Sequence, residues 1–236
     1  MITEILLKDQ TTGKNILWAN AEFGNKQIDS AQIDLIKPRH EKLREHQKQR
    51  TRDRAEIFTP PEVCKIQNDL IIGDDRNWQD FIDAKFLEIT CGEAPYLVNR
   101  YNAVTGDPVP LAERVGLLDR KLRVVGKETK IVSDWMDWAI RAVQSVYGYE
   151  FQGDNLFLAR RNVFETVKDY YAEKFQRKPP DDFLREVARI ISWNLWQMDG
   201  LTYSPPFTET ANLFGGANCR IMNWKTGKPF EFRELI

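Results

Sequence analysis

"FLEITCGEAPYL", Phe86 to Leu97, sets the terms for the whole chain. A short apolar run (Phe86, Leu87, Ile89) meets a carboxylate at Glu88, a small-residue turn at Gly92, a second carboxylate at Glu93, and then apolar residues again. This pattern predicts a buried strand that feeds a turn at the carboxyl edge of an α/β sheet. Ligands bind at such edges because the turn leaves backbone N–H groups free and lets a small molecule approach the main chain. The two glutamates suit a cationic or hydroxyl-bearing ligand better than a pyrophosphate. A dinucleotide fingerprint would need three spaced glycines, and the stretch has one. An ordinary strand exit is the competing reading of these residues alone.

A second stretch repeats the plan. "VYGYEFQGDN", Val146 to Asn155, is a short apolar strand ending in Glu150 just before a helical pattern. A carboxylate at the end of a second strand can accept from both hydroxyls of a ribose, and a solvated strand end is the plain alternative. Between the two strands, 111–147 predicts two helices, with Ser133 as a cap and Trp135, Ala139, Val143 and Val146 as a buried stripe. "APYLVNRYNAV" predicts a further short helix. Beyond the second strand, Leu156, Ala159, Val163, Val167 and Tyr170 keep the helical period behind a cap at Asp154. "FLREVARIISWNLWQM" predicts an apolar helix running to the Asp199–Gly200 pair. Residues 201–218 have turn composition and predict an irregular surface loop.

The ends predict hairpins: "EILLKDQTTGKNILWA" and "CRIMNWKTGKPFEFREL", each with a glycine in its turn. Near the start, Pro60 and Pro61 end any preceding helix, Thr59 is placed to cap the next one, and Val63, Ile66 and Leu70 share its face.

Charge sets further bounds. The formal net charge of -1 argues against a uniformly basic nucleic-acid coat. Residues 37–54 nevertheless carry eight Lys or Arg against three acidic residues. Either they form a solvated surface arm, or Lys37, Arg39, Lys42, Arg44, Lys48, Arg50, Arg52 and Arg54 contact DNA phosphates. Cys64, Cys91 and Cys219 form no C-x-x-C pair and only His40 and His46 could add ligands, so no metal is expected. The N-terminus lacks the basic start and apolar stretch of a signal peptide, and no apolar run reaches membrane-spanning length, so a cytoplasmic protein away from membranes is expected.

Taken in order, "FTPPEV" (58–63), "FLEITCGEAPYL" (86–97) and "YGYEFQGDNLFLARRN" (147–162) resemble the amino-terminal half of the S-adenosylmethionine-dependent adenine-N6 DNA methyltransferases. More narrowly, the chain resembles the small proteins labelled restriction endonuclease subunit M, through "IKPRHEK", "GLLDRKLR", "QGDN", "ISWNLWQMDGL" and "NWKTG". The resemblance implies a single α/β domain with a reduced or modified Rossmann-like methyltransferase core. A β-hairpin at each terminus, a basic arm at 37–54 and a helical insertion at 99–146 decorate it. It further implies S-adenosyl-L-methionine as cofactor, held by Phe58, Thr59, Pro60, Glu88, Thr90, Cys91, Gly92, Glu93 and Glu150. DNA is the implied partner, with a restriction or specificity subunit as a second. The catalytic motif would be Ser204, Pro205, Pro206 and Phe207, where the family has Asn or Asp before Pro-Pro-Tyr or Pro-Pro-Phe. The polar residue there accepts from the exocyclic amine, and the ring stacks on the flipped base.

The sequence departs from that pattern in three ways. Ala94 and Pro95 follow Glu93 where the family loop has Gly, Gly92 and Glu150 are 58 residues apart, and Ser replaces Asn or Asp. The implied activity is DNA methylation, with a catalytically inactive binding subunit as the alternative. A nuclease subunit ranks last, for want of a paired Asp and Glu-x-Lys arrangement.

Overall fold

The computed structural model describes residues 2–42, 48, 51–52, 59–72, 77–102, 105–208 and 218–236. Its elements are α1 (Ile2–Leu7), α2 (Pro61–Ile72), α3 (Trp78–Asp83), β1 (Phe86–Glu88), α4 (Leu117–Glu128), α5 (Val132–Gln144), β2 (Val146–Glu150), α6 (Gly153–Phe175), α7 (Asp181–Asn194), β3 (Leu195–Gln197), β4 (Arg220–Asn223) and β5 (Lys228–Glu231). Strands β1, β2 and β3 form a parallel sheet in that order, with Glu88 opposite Gly148 and Glu150 opposite Gln197. Parallel neighbours need long crossovers, and helices α4 to α7 supply them.

The side chains alternate across the sheet as the strand period requires. Val146 and Leu195 enter the main core with α4 to α7, among them Trp135, Leu156, Val163 and Ile191. Tyr147 and Trp196 face the other way, into a smaller cluster with Ile221 and Phe232. The architecture is therefore helices, a three-stranded sheet, and the antiparallel β4–β5 hairpin, which turns at Gly227 with φ +66°. No described helix is long and apolar enough to cross a membrane.

Local expectations fail where tertiary contacts outbid local pattern. The N-terminus is not a hairpin. Ile2–Leu7 is helical because Leu6 and Leu7 pack into the core, and Arg160 then takes the carbonyls of Leu6 and Lys8 at 2.7 and 2.9 Å. Only an isolated bridge, Lys8 to Asn15, closes the turn that follows. "APYLVNRY" is a turn rather than a helix, because Glu88 captures the N–H groups of Tyr96 and Leu97. The apolar helix from Phe183 stops at Asn194, and Leu195–Gln197 becomes β3. Asn194 fixes the switch by donating to the carbonyls of Val143 and Val146 at 3.0 Å each. Neither Ser133 nor Asp154 caps its helix. On α2 the buried residues are Cys64 and Asn68, while Val63, Ile66 and Leu70 are exposed.

Candidate functional site

The turn after β1 is built from alternating left-handed residues: Thr90 at φ +46°, Gly92 at +54° and Ala94 at +63°. Only glycine adopts this region without steric cost, so Ala94 stands where glycine would be relaxed. The turn persists because each of its groups is anchored. The Cys91 N–H donates to Tyr149 O at 2.8 Å, and the Gly92 N–H donates to Glu150 Oε2 at 2.9 Å. Gly148 keeps β2 clear, since a Cβ there would lie 3.2 Å from Cys91 Sγ.

Glu150 thus has a role that its strand-end position did not disclose. Its Oε1 accepts from the Gln152 N–H at 3.0 Å, so one carboxylate clamps the β1 turn to the start of α6. Glu88 lies beneath the same turn, accepting from Tyr96 and Leu97 N–H at 3.3 and 3.1 Å. Burial pushes its carboxyl up to about 8; these backbone bonds lower it, and Glu150 raises it further. Burial, then Glu88 and Glu150, hold the Cys91 thiol well above its ordinary range.

These groups line a cavity of about 900 Å³. Thr59, Glu88, Thr90, Cys91, Gly92 and Glu150 all contribute to its wall. The carboxyl end of β3 adds Asp199, Gly200 and Leu201, and α6 adds Asn155. Among the described residues the lining carries two carboxylates, Glu150 and Asp199, beside Glu88, which burial keeps largely protonated at neutral pH, and no Lys, Arg or His. Tyr96, Tyr149 and Phe151 supply aromatic surface. Such a cavity favours a cation and disfavours a pyrophosphate. Asn68, which also lines it, gives its amide protons to Tyr96 O and Val115 O and leaves Oδ1 unpaired.

The other expected residues lie elsewhere. Glu93 is buried away from the cavity wall: it accepts from the Arg39 N–H at 2.8 Å and from the Tyr101 hydroxyl, and its carbonyl accepts from Asn162 Nδ2 at 3.0 Å. Burial raises its carboxyl. It therefore holds the start of the basic segment to the turn. Pro60 is exposed, and its carbonyl accepts from the Val63 and Cys64 N–H groups at the start of α2. Phe58, Arg44, Arg50 and Arg54 lie outside the described residues. Lys37, Lys48 and Arg52 are exposed, Arg39 is half-buried, and Lys42 pairs with Asp154 at 3.5 Å.

Ser204 is fully buried, and its hydroxyl shares a hydrogen bond with Thr202 at 2.7 Å. Pro205 and Pro206 are buried beside it, and Phe207, half exposed, meets Phe151 edge-on at 5.8 Å between centroids. None of the four lines the cavity. Asp199 went unread because "WNLWQMDG" scans as a helix end, although its apolar run before Asp-Gly repeats the pattern at the other two strand ends. Among the described residues no three His, Cys, Asp or Glu side chains cluster as a metal site.

Comparison with protein-family models, curated proteins and solved structures found no significant match for the chain.

Proposed function

We propose that the protein binds S-adenosyl-L-methionine at the carboxyl edge of a reduced Rossmann-like sheet and serves as a DNA methyltransferase, acting on adenine N6, or as the modification subunit of one. One observation carries this reading: the ends of all three parallel strands converge on a single cavity whose charged residues, among those described, are the carboxylates Glu150 and Asp199. A sulfonium and an ammonium group on one small ligand match that charge, and a dinucleotide does not. The family resemblance of "FLEITCGEAPYL" and "QGDN" points the same way.

The residues present fit such a cofactor. Glu150 would accept from the ribose hydroxyls, Asp199 would accept from an exocyclic amine, and the ring of Tyr149 or Phe151 would cover a purine. S-adenosylmethionine, when bound, supplies an electrophilic methyl on sulfur. The chain's own part is to orient that group and to keep water from it.

The burial of Ser204 favours a second reading, a methyltransferase-like binding subunit that acts through DNA or a partner protein. Calorimetric titration with S-adenosylmethionine and its demethylated product tests the first step. Micromolar binding that Glu150→Ala and Asp199→Asn each weaken tenfold or more is the expected result, and no binding sinks the cofactor assignment. Methyl transfer to DNA by the loaded protein then supports the enzyme, while binding without transfer supports the subunit.

A further inference from the structure

Helix α2 carries its polarity in reverse. Val63, Ile66, Leu70 and Ile71 are exposed, and the two residues that it buries are Cys64 and Asn68. A buried position on a helix face costs least when it is apolar, so an asparagine there calls for a reason. Part of the reason is structural. Asn68 Nδ2 donates to Tyr96 O at 3.0 Å and to Val115 O at 3.1 Å, which ties α2 to the turn after β1 and to the segment just before α4.

The other part is not met within the chain. Those two bonds use both amide protons and fix which way the carboxamide faces, because the flipped amide would set Oδ1 against two carbonyl oxygens. Oδ1 then has no hydrogen-bond partner among the described residues, although Asn68 is fully buried. A buried acceptor left without a donor weakens a fold and is rare in native proteins. Asn68 also stands in the wall of the cavity of about 900 Å³, together with Gln67 and Ile71 of α2, Tyr96 and Leu117. An acceptor whose amide is locked can recognise one thing, a donor.

We propose that Asn68 Oδ1 accepts from an amino group of the bound ligand and makes the cavity selective for a cofactor that carries its amino-acid portion. The inference rests on the cofactor reading. There Glu150 takes the ribose and Asp199 the purine amine, both beyond the carboxyl ends of strands, so the α2 wall is left for the amino-acid end. The α-ammonium of that end is the donor of matching chemistry. Among the described residues no Lys, Arg or His lines the cavity, so no cation competes with it. A site built around a hydrogen bond rejects the ligand that lacks the donor, because its own buried group is then left unpaired.

The test is calorimetric titration of the full chain with S-adenosylhomocysteine and with its analogue that has hydrogen in place of the amino group. The native chain should bind the analogue about tenfold to a hundredfold more weakly, the loss of one hydrogen bond from a charged donor. This comparison needs no variant. Asn68→Ala should lower affinity for S-adenosylhomocysteine by a similar factor and leave the analogue's affinity unchanged, so that the preference for the amine disappears. A purely structural asparagine would weaken both ligands alike. Equal binding of the two ligands by the native chain, or an amine preference that survives Asn68→Ala, overturns this inference alone, provided that Glu150→Ala still weakens S-adenosylhomocysteine. No binding of S-adenosylhomocysteine overturns it together with the cofactor reading.

Discussion

Glu88 should make the protein less stable as the solution becomes more alkaline, and the size of the effect follows from where its carboxyl sits. Its ordinary value is 4.5, and in the fold it rises to about 8, chiefly because the group is buried. Between these two values the folded state holds a proton that the unfolded chain has released. The slope of stability against pH is then negative, about 1.4 kcal/mol lost per pH unit. The contribution is fully present below about pH 4.5 and is lost as pH rises to about 8, roughly 4 kcal/mol over the window. Glu88→Gln removes the titration. It also takes away one of the acceptors for the Tyr96 and Leu97 N–H groups, a constant cost of about 1–3 kcal/mol. Urea unfolding of both proteins, followed by tryptophan fluorescence from about pH 5 to about pH 9, gives the difference curve. Asp119, raised to about 6, and Glu93 titrate in both proteins and cancel in it. The variant should be the weaker protein at the acid end and should gain on the native chain by roughly 4 kcal/mol on the way to pH 8. Parallel curves would mean that Glu88 ionises normally, that the floor of the cavity is wet, and that the physical account of the turn is wrong.

Other perturbations test the scaffold. Arg160 is fully buried and donates to Leu195 O, Leu6 O, Lys8 O and Ser192 O, with burial lowering its guanidinium to about 10. Arg160→Met should cost about 3–5 kcal/mol in chemical denaturation, and a loss below about 1 kcal/mol would show these carbonyls to be hydrated. A Cβ at Gly153 would sit 1.9 Å from Leu17 O, so Gly153→Ala should destabilise by about 3 kcal/mol. Gly126→Ala, where a Cβ meets nothing within 4 Å on α4, should stabilise by about 0.5–1 kcal/mol; a reversed order of melting temperatures refutes the placement of α6 against the Leu17 turn. Cys64, pushed up to about 12, and Cys91 should react with a thiol reagent only on unfolding, and rapid labelling of native protein would contradict their burial.

Residue pattern alone located the two strands that carry the turn and Glu150, the helices of 117–144, and the buried stripe of α6, since Leu156, Ala159, Val163, Val167 and Tyr170 are all buried. These features are local: a helical or strand period needs only neighbours to be visible. Segment boundaries were less legible. β3 is three residues long and follows an apolar helix without a break, so nothing in "SWNLWQM" marks where the period changes. Two side-chain bonds from Asn194 to β2 decide it.

The candidate site divides along the same line. The sequence by itself determined that small-residue turns and carboxylates would sit at strand ends, because strand alternation and turn chemistry are written in adjacent residues. Only the tertiary structure decided which carboxylates share a cavity. It brought Asp199 to Glu88 and Glu150, turned Glu93 inward to hold Arg39, and left Ser204 sealed against Thr202. Each outcome depends on groups far apart in the chain competing for the same N–H donors or the same buried volume, and that competition is resolved only when the helices close over the sheet.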